Sequence, residues 1–215
     1  MIKKRAGLSA LAVLGATAIA LTGCSSNGSG NGGDSGSTNA SGIVTTNGSE
    51  PQNPLIPSHS TETGGGKIIT SIFEGLVSYD ADGKPVNEVA KSIDTDDSKT
   101  YDITLNTGYT FTNGEKVTAE SFTKAWNWAA QKSNAQGASY FFENIEGYDA
   151  DKDSELTGLK VKSDDEFTVT LKSAQSDFPL SLGYSAFMPL PSAFYDDTKA
   201  FGENPIGNGP YKLDG

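Results

Sequence analysis

The chain has 215 residues, 27 acidic and 16 basic side chains, one histidine, one cysteine and a formal net charge of −11. Such an acidic chain, whose only arginine is Arg5, is repelled by nucleic acids and offers phosphates no bidentate guanidinium. A single cysteine excludes an internal disulfide, and one histidine with one cysteine cannot build the usual zinc site. We therefore expect no nucleic-acid partner, no bound metal and no cofactor.

Residues 1–23 have the pattern of a secretory signal peptide. Three basic residues at positions 3–5 precede an apolar run over residues 8–21 that contains only two polar side chains. This run is too short to span a bilayer as a finished helix, and the order of basic and apolar segments is typical of a leader that is removed. Its removal would leave 192 residues with 13 lysines, no arginine and a net charge of −14.

The only cysteine, Cys24, directly follows the small residues that suit a signal peptidase, in the run Leu21-Thr22-Gly23-Cys24. This run resembles the bacterial lipobox, in which the cysteine carries the lipid and becomes the mature amino terminus. The alternative is an ordinary secretory signal with an incidental cysteine. A lipid would attach the protein to the outer face of the bacterial cytoplasmic membrane with about 0.8 kcal/mol for each buried methylene. The membrane would then be contacted through the anchor alone.

The composition of residues 24–42 predicts a flexible tether. Fifteen of the eighteen residues after Cys24 are Ser, Gly or Asn. Such a segment buries too little surface to offset its backbone entropy, so we expect a flexible coil with a root-mean-square span of roughly 21–25 Å.

The remaining residues, 43–215, predict a mixed α/β domain that begins with a short extended run at residues 43–46. Residues 67–77 place apolar side chains on one helical face, and Gly64-Gly65-Gly66 predicts a tight loop before that helix. Strict alternation predicts strands at residues 101–105 and 167–171.

A second helix is predicted to begin after the N-cap Thr118, because its apolar residues recur at helical spacing as far as Ala129. Within it, Trp126 is expected in the core, whereas Trp128 falls off the apolar face and could be an exposed stacking residue. Asp-Gly and Asn-Gly pairs at residues 82–83 and 113–114 predict turns. Residues 177–190 remain ambiguous, and residues 211–213 suggest the start of a strand.

Several motifs that carry chemistry fail on inspection. The glycine run before Lys67 lacks the first Gly and the final Ser or Thr of a phosphate-binding loop. The acids at positions 149, 151 and 153 have the opening spacing of a calcium loop, but Ser154 and Lys160 stand where it needs Gly and Glu. His59 has no cysteine nucleophile beside it, and we expect a loop histidine that makes a local hydrogen bond.

An ordered series of short blocks is more specific than any one of these motifs. The blocks are Asn47-Gly48-Ser49-Glu50-Pro51, Leu55-Ile56-Pro57, Phe73-Glu74-Gly75-Leu76-Val77, Asp80-Ala81-Asp82-Gly83-Lys84-Pro85, Val89-Ala90-Lys91-Ser92, Tyr101-Asp102-Ile103-Thr104-Leu105, Phe111-Thr112-Asn113-Gly114-Glu115-Lys116-Val117-Thr118-Ala119-Glu120, and residues 204–213. In this order and spacing the chain resembles the family 5 extracellular solute-binding proteins of ABC transporters, the oligopeptide- and dipeptide-binding lipoproteins.

The resemblance implies a two-lobed, periplasmic-binding-protein-like fold of mixed α/β type with an inserted subdomain, of which only the first lobe is present. Residues 43–73 and 192–215 would form the first lobe, and residues 74–191 the inserted subdomain. The second lobe, which carries most side-chain pockets in the family, would lie beyond this N-terminal part.

The resemblance also implies a function: capture of a peptide or related small solute and its delivery to the permease subunits of an ABC importer, by a monomer without enzymatic activity. The family holds extended peptides mainly through backbone hydrogen bonds. Residues 58–64 match the place where the first lobe approaches the ligand. The implied ligand contacts are Ser60, Thr61, Glu62 and Thr63.

Two departures from the family pattern bear on specificity. Ile56 stands where members usually carry Asp, and Gly137 stands where some peptide binders carry Tyr, while Ala138-Ser139-Tyr140 is kept. The alternative functions are a secreted, lipid-anchored hydrolase that uses carboxylates, and a surface adhesin.

Overall fold

A computed structural model describes residues 46–214 of the chain. The predicted signal peptide, the lipid site at Cys24, the tether and most of the extended run at residues 43–46 lie outside these described residues.

The described residues form four helices and six strands. The helices are α1 (Thr63–Ile72), α2 (Ala119–Ala130), α3 (Phe178–Ser181) and α4 (Thr198–Glu203). The strands are β1 (Val77–Tyr79), β2 (Pro85–Asn87), β3 (Ala90–Asp94), β4 (Thr100–Leu105), β5 (Leu159–Ser163) and β6 (Glu166–Thr170). Single turns of 3₁₀ helix occur at Lys132–Asn134, Ser139–Phe142, Ser185–Phe187 and Ser192–Tyr195.

The strands make two antiparallel sheets. β1 and β2 form a hairpin, and the larger sheet has the order β3-β4-β6-β5. The predicted strands at residues 101–105 and 167–171 are confirmed as β4 and β6, which pair with Ile103 opposite Phe167. The predicted turns are also confirmed, with positive φ at Gly83 and Gly114.

Alternation along β4 turns one face of the large sheet toward the core. Tyr101, Ile103 and Leu105 are buried on this face. On the opposite face, Lys162 Nζ contacts the carboxylates of Asp102 (2.7 Å) and Glu166 (3.0 Å). The sheet therefore has one apolar side, which must be covered by another element.

Helix α2 covers that apolar side. Its N-cap is Thr118 as predicted, and the Thr118 backbone N–H donates to Ser121 Oγ (3.1 Å). Trp126 is fully buried, and its ring meets the rings of Phe167 and Phe187 edge-on at centroid distances of 5.7 and 5.1 Å. Its indole N–H also donates to the Phe187 carbonyl (2.9 Å). The tryptophan thus joins α2 to both the sheet and the segment after α3.

The first helix differs from its prediction at both ends. Gly64-Gly65-Gly66 does not form a loop before the helix but lies inside its first turns, because α1 begins at Thr63 under the cap of Glu62. The helix ends at Ile72, since Phe73 is extended (φ −122°, ψ 145°) and the chain turns toward β1. The apolar face therefore continues into the core as extended chain.

The structure also answers three further questions from the sequence, about Trp128, residues 177–190 and residues 211–213. Trp128 is half-buried and meets Phe194 edge-on at 4.7 Å, so it is not an exposed stacking residue. The ambiguous residues 177–190 contain the short helix α3 and a 3₁₀ turn at Ser185–Phe187. No strand forms at residues 211–213, within the part of the chain that the structure describes.

One hydrophobic core extends through all of these elements. It includes Leu55 before α1, Ile69 of α1, Trp126 of α2, Phe194 of the 3₁₀ turn at Ser192–Tyr195, and Phe201 of α4. The division between a first lobe and an inserted subdomain stays a prediction, and the core runs across both proposed boundaries. Among residues 46–214 no helix has the length and apolar character needed to cross a membrane.

Replacing Trp126 with phenylalanine is expected to lower the free energy of unfolding by about 1–3 kcal/mol, because the Phe187 carbonyl loses its buried donor and the smaller ring leaves a void. Urea denaturation followed by circular dichroism measures the loss. Trp128→Phe is the matched control, and we expect it to cost less than about 1 kcal/mol at its half-buried position. Equal costs at the two positions would contradict this account of the core.

Candidate ligand-binding segment

The four candidate contact residues lie together in residues 58–63, which we call the binding segment. The segment begins within a turn, in which the backbone N–H groups of His59 and Ser60 both donate to the Ile56 carbonyl, at 2.8 and 2.9 Å. The backbone is extended at Glu62 (φ −99°, ψ 162°), the N-cap of α1. The segment is therefore short, has no regular secondary structure of its own and depends on neighbouring elements for its shape.

Ser60 faces inward. It is 2% exposed, and its hydroxyl donates to the Pro54 carbonyl at 2.8 Å. A buried hydroxyl with a protein partner supports the local fold. Ser60 thus fixes the path of the segment with its side chain rather than offering that side chain to solvent.

Glu62 caps helix α1. Both carboxylate oxygens accept from the Gly65 backbone N–H (3.0 and 2.9 Å), and Oε1 also accepts from the N–H of Gln52 (3.2 Å). These bonds, chiefly the one from Gly65, hold the pKa of Glu62 below its usual value. A Cβ at position 65 would collide with this carboxylate, so the glycine is needed for the close approach.

Thr61 and Thr63 are exposed, unlike Ser60 and Glu62. The backbone around them also carries free groups. Within the described residues, the carbonyls of Ser60 and Thr61 and the N–H groups of Glu62 and Thr63 have no protein partner. Free backbone donors and acceptors of this kind can form main-chain hydrogen bonds to an extended chain.

The binding segment is attached to residues 136–138, far along the sequence. Ser58 Oγ donates to Gln136 Oε1 (2.9 Å), and the Ala138 N–H donates to the Ser58 carbonyl (3.0 Å). A Cβ at Gly137 would lie 3.3 Å from Thr61 Cγ2, so a side chain there would press on Thr61. The sequence drew attention to the run from Gly137 but not to Gln136, whose amide carries no motif.

His59 does not make the local side-chain hydrogen bond that its loop position suggested. Its Nδ1 atom is buried and has no hydrogen-bond partner among the described residues. The backbone N–H of His59 supplies the local bond instead.

The other rejected motifs also lack a site in the described part of the chain. The side chains of Asp149 and Asp153 accept from the backbone N–H groups of Asp151 (2.9 Å) and Ser133 (2.7 Å), so they brace a surface loop. No group of three or more His, Cys, Asp or Glu side chains that could hold a metal occurs in residues 46–214.

The fold is that of a solute-binding protein. Residues 84–215 match the model of the bacterial extracellular solute-binding proteins, family 5 Middle, and the chain belongs to this family. Its family is therefore one of substrate-binding proteins, as the ordered blocks in the sequence predicted.

Curated relatives agree with this assignment. The chain is 29% identical over 206 residues to the oligopeptide-binding protein OppA of Bacillus subtilis (strain 168), covering 91% of this chain and 38% of the relative. It is 32% identical over 183 residues to the periplasmic oligopeptide-binding protein OppA of Escherichia coli (strain K12), covering 80% and 33%. The matched part of the chain thus spans between 33% and 38% of the length of these relatives.

Solved structures share the fold. The substrate-binding domain of an oligopeptide ABC transporter from Bacillus anthracis str. Ames superposes with a TM-score of 0.70 at 26% identity, covering 76% of this chain and 34% of that one. Haemophilus influenzae OppA in complex with RPPGFSPFR gives a TM-score of 0.70 at 25% identity, covering 77% and 34%. The mixed α/β, periplasmic-binding-protein-like fold class is confirmed.

Replacing Glu62 with glutamine tests the helix cap through its pH dependence. The pKa of Glu62 in the folded chain lies below its ordinary value of 4.5, so the carboxylate stabilises the fold above about that pH. This contribution is lost as the pH falls through the lowered pKa. We therefore expect the wild type to melt above Glu62→Gln at pH 7 and the two melting temperatures to converge in acid. Calorimetry at stepwise pH measures the gap, and a gap independent of pH would refute the charged cap.

Proposed function

We propose that this protein is the lipid-anchored, extracellular substrate-binding component of an ABC importer, which captures oligopeptides or dipeptides and delivers them to the permease. It acts as a monomer and without turnover of its ligand. The proposal extends to this chain what the names of its relatives state for them, and it rests on one local observation, the free backbone groups of the binding segment.

Those backbone groups suit a peptide better than most other solutes. Two carbonyls and two N–H groups within four consecutive residues can accept from and donate to the main chain of a peptide. Recognition through the main chain is independent of side-chain identity, which is what a receptor for peptides of varied sequence requires.

The four candidate residues take two different roles in this proposal. Thr61 and Thr63 contact the ligand, since both are exposed and flank free backbone groups. Ser60 and Glu62 contribute backbone groups to the ligand, while their side chains hold the segment and the first turn of α1.

Anchoring follows from the amino-terminal sequence. Cys24 is the only cysteine, it directly follows small residues, and a tether rich in Ser, Gly and Asn comes next. A lipid on Cys24 holds the acidic body near the outer face of the cytoplasmic membrane while charge repulsion keeps that body off anionic lipid. The ligand is thereby captured close to the permease.

Calorimetric titration tests peptide capture. The protein, expressed from its complete reading frame, is titrated with trialanine, tetraalanine and RPPGFSPFR, and we expect nanomolar to micromolar binding of at least one. A tetraalanine analogue N-methylated at its backbone amides should bind about tenfold more weakly or worse, because each lost main-chain bond leaves a partner unpaired. Absence of binding by all three peptides would refute the peptide proposal.

A pair of variants at position 63 separates backbone from side-chain recognition. Thr63→Pro removes a free N–H at the first position of α1, where proline is tolerated, and the preceding Glu62 is already extended as proline requires. We expect about a tenfold loss of peptide affinity with little change in melting temperature. Thr63→Ala, which keeps the N–H, is the matched control. A larger loss with alanine than with proline would favour side-chain recognition instead.

Replacing Cys24 with alanine tests the anchor. Since the cysteine is the proposed point of lipid attachment, we expect wild-type protein in the membrane fraction and the variant in the soluble fraction or the medium. Mass spectrometry of the mature amino terminus should find diacylglycerol on the wild type alone. Membrane retention of Cys24→Ala to the wild-type extent would contradict lipidation.

A further inference from the structure

A buried hydrogen-bonded link joins the binding segment to residues distant in sequence. Gln136 is 8% exposed and Ser58 is 3% exposed, and they are joined by the bond from Ser58 Oγ to Gln136 Oε1 (2.9 Å). The other end of the amide, Nε2, donates to the Asn134 carbonyl at 2.6 Å. Because a carbonyl only accepts, the amide nitrogen must face Asn134 and the amide oxygen must face Ser58. Both ends of the amide are therefore satisfied in one orientation.

The link continues into helix α2. The side-chain amide of Asn134 donates to the Trp128 carbonyl at 2.7 Å, in the last turn of the helix. Between Asn134 and Gln136, Ala135 adopts a left-handed conformation (φ 49°), which residues with a Cβ rarely adopt and which the hydrogen bonds on either side must support. The loop that presents Gln136 is thus fixed to an element of the core.

A second attachment lies beside the first. The Ala138 N–H donates to the Ser58 carbonyl (3.0 Å), so Ser58 is bound through both its side chain and its backbone. Gly137, between these two contacts, leaves room for Thr61 against the loop. Residues 136–138 thus contact the binding segment at both Ser58 and Thr61.

The other hydrogen bonds of the segment join it to residues within ten positions in sequence, among them Gln52, Pro54 and Ile56. Contacts from residues 136–138 differ, because they tie the segment to α2 across 78 positions.

We propose that Gln136 is a positioning residue for ligand binding, which sets the location of the binding segment through Ser58 without contacting the ligand. The expected effect on peptide affinity rests on the proposed function. The effect of Gln136 on the position of the binding segment can be tested without any ligand.

Hydrogen exchange on the 215-residue chain tests the structural content. In Gln136→Leu the backbone amides of Ser60, Thr61 and Gly65 should exchange about tenfold faster, because the segment loses the side-chain half of its attachment to residues 136–138. Amides in β4 and β6 should keep their wild-type rates. Ser58→Ala should give the same pattern. The double variant should exchange little faster than either single variant, because both substitutions remove the same hydrogen bond.

Gln175→Leu is the matched control. The Gln175 side-chain oxygen accepts from the side-chain amide of Asn144 at 2.9 Å. The variant therefore also removes a side-chain hydrogen bond between residues distant in sequence, but one that lies away from the binding segment. We expect no acceleration at Ser60, Thr61 or Gly65 in this control. Unchanged rates in both Gln136→Leu and Ser58→Ala, or a uniform acceleration that includes β4 and β6, would overturn the proposal.

Titration with tetraalanine tests the consequence for binding, using the protein expressed from its complete reading frame. Gln136→Leu should weaken binding about tenfold, and Gln175→Leu should leave it within about twofold at comparable melting temperature. Faster local exchange with unchanged affinity would overturn the role in binding. If the wild type binds no peptide at all, the proposed function fails, and the exchange rates still decide whether Gln136 positions the segment.

Discussion

The burial of Trp126 between the sheet and the segment after α3 is the interaction on which the rest of the structure depends. Its ring covers Phe167 of β6, and its indole N–H satisfies the Phe187 carbonyl in the same dry environment. One side chain thereby joins three parts of the chain that are far apart in sequence. Because α2 is fixed in this way, its last turn offers Asn134 a fixed acceptor, the Trp128 carbonyl.

The binding segment gains its geometry from this arrangement rather than from a secondary structure of its own. An isolated segment of six residues without regular secondary structure would lose its backbone order to conformational entropy. Here Glu62 commits one end to the start of α1, and Ser58 commits the other end to the loop after α2. The free carbonyls and N–H groups lie between these two attached ends, which is the preorganisation that the proposed main-chain recognition requires.

Periodicity predicted the elements in which local pattern and tertiary packing agree. Strand β4 and helix α2 followed from alternation and from the spacing after Thr118, since each has one buried face. The start of α1 was wrong because three glycines argue against a helix locally, whereas the Glu62 cap and the burial of Ile69 favour one. The role of Gln136 could not be found, because a buried amide is defined by its partners and not by its spacing.

The sequence by itself determined the α/β class and the family, and it predicts a leader, a lipid-carrying cysteine, a tether and the position of the binding segment. These follow from composition, short-range periodicity and ordered blocks, which are all readable along the chain. Only the tertiary structure decided that Ser60 and Glu62 turn their side chains to the fold while Thr61 and Thr63 face solvent. The same four residues are polar and adjacent in sequence. What distinguishes them is which polar groups the folded chain brings within hydrogen-bonding distance.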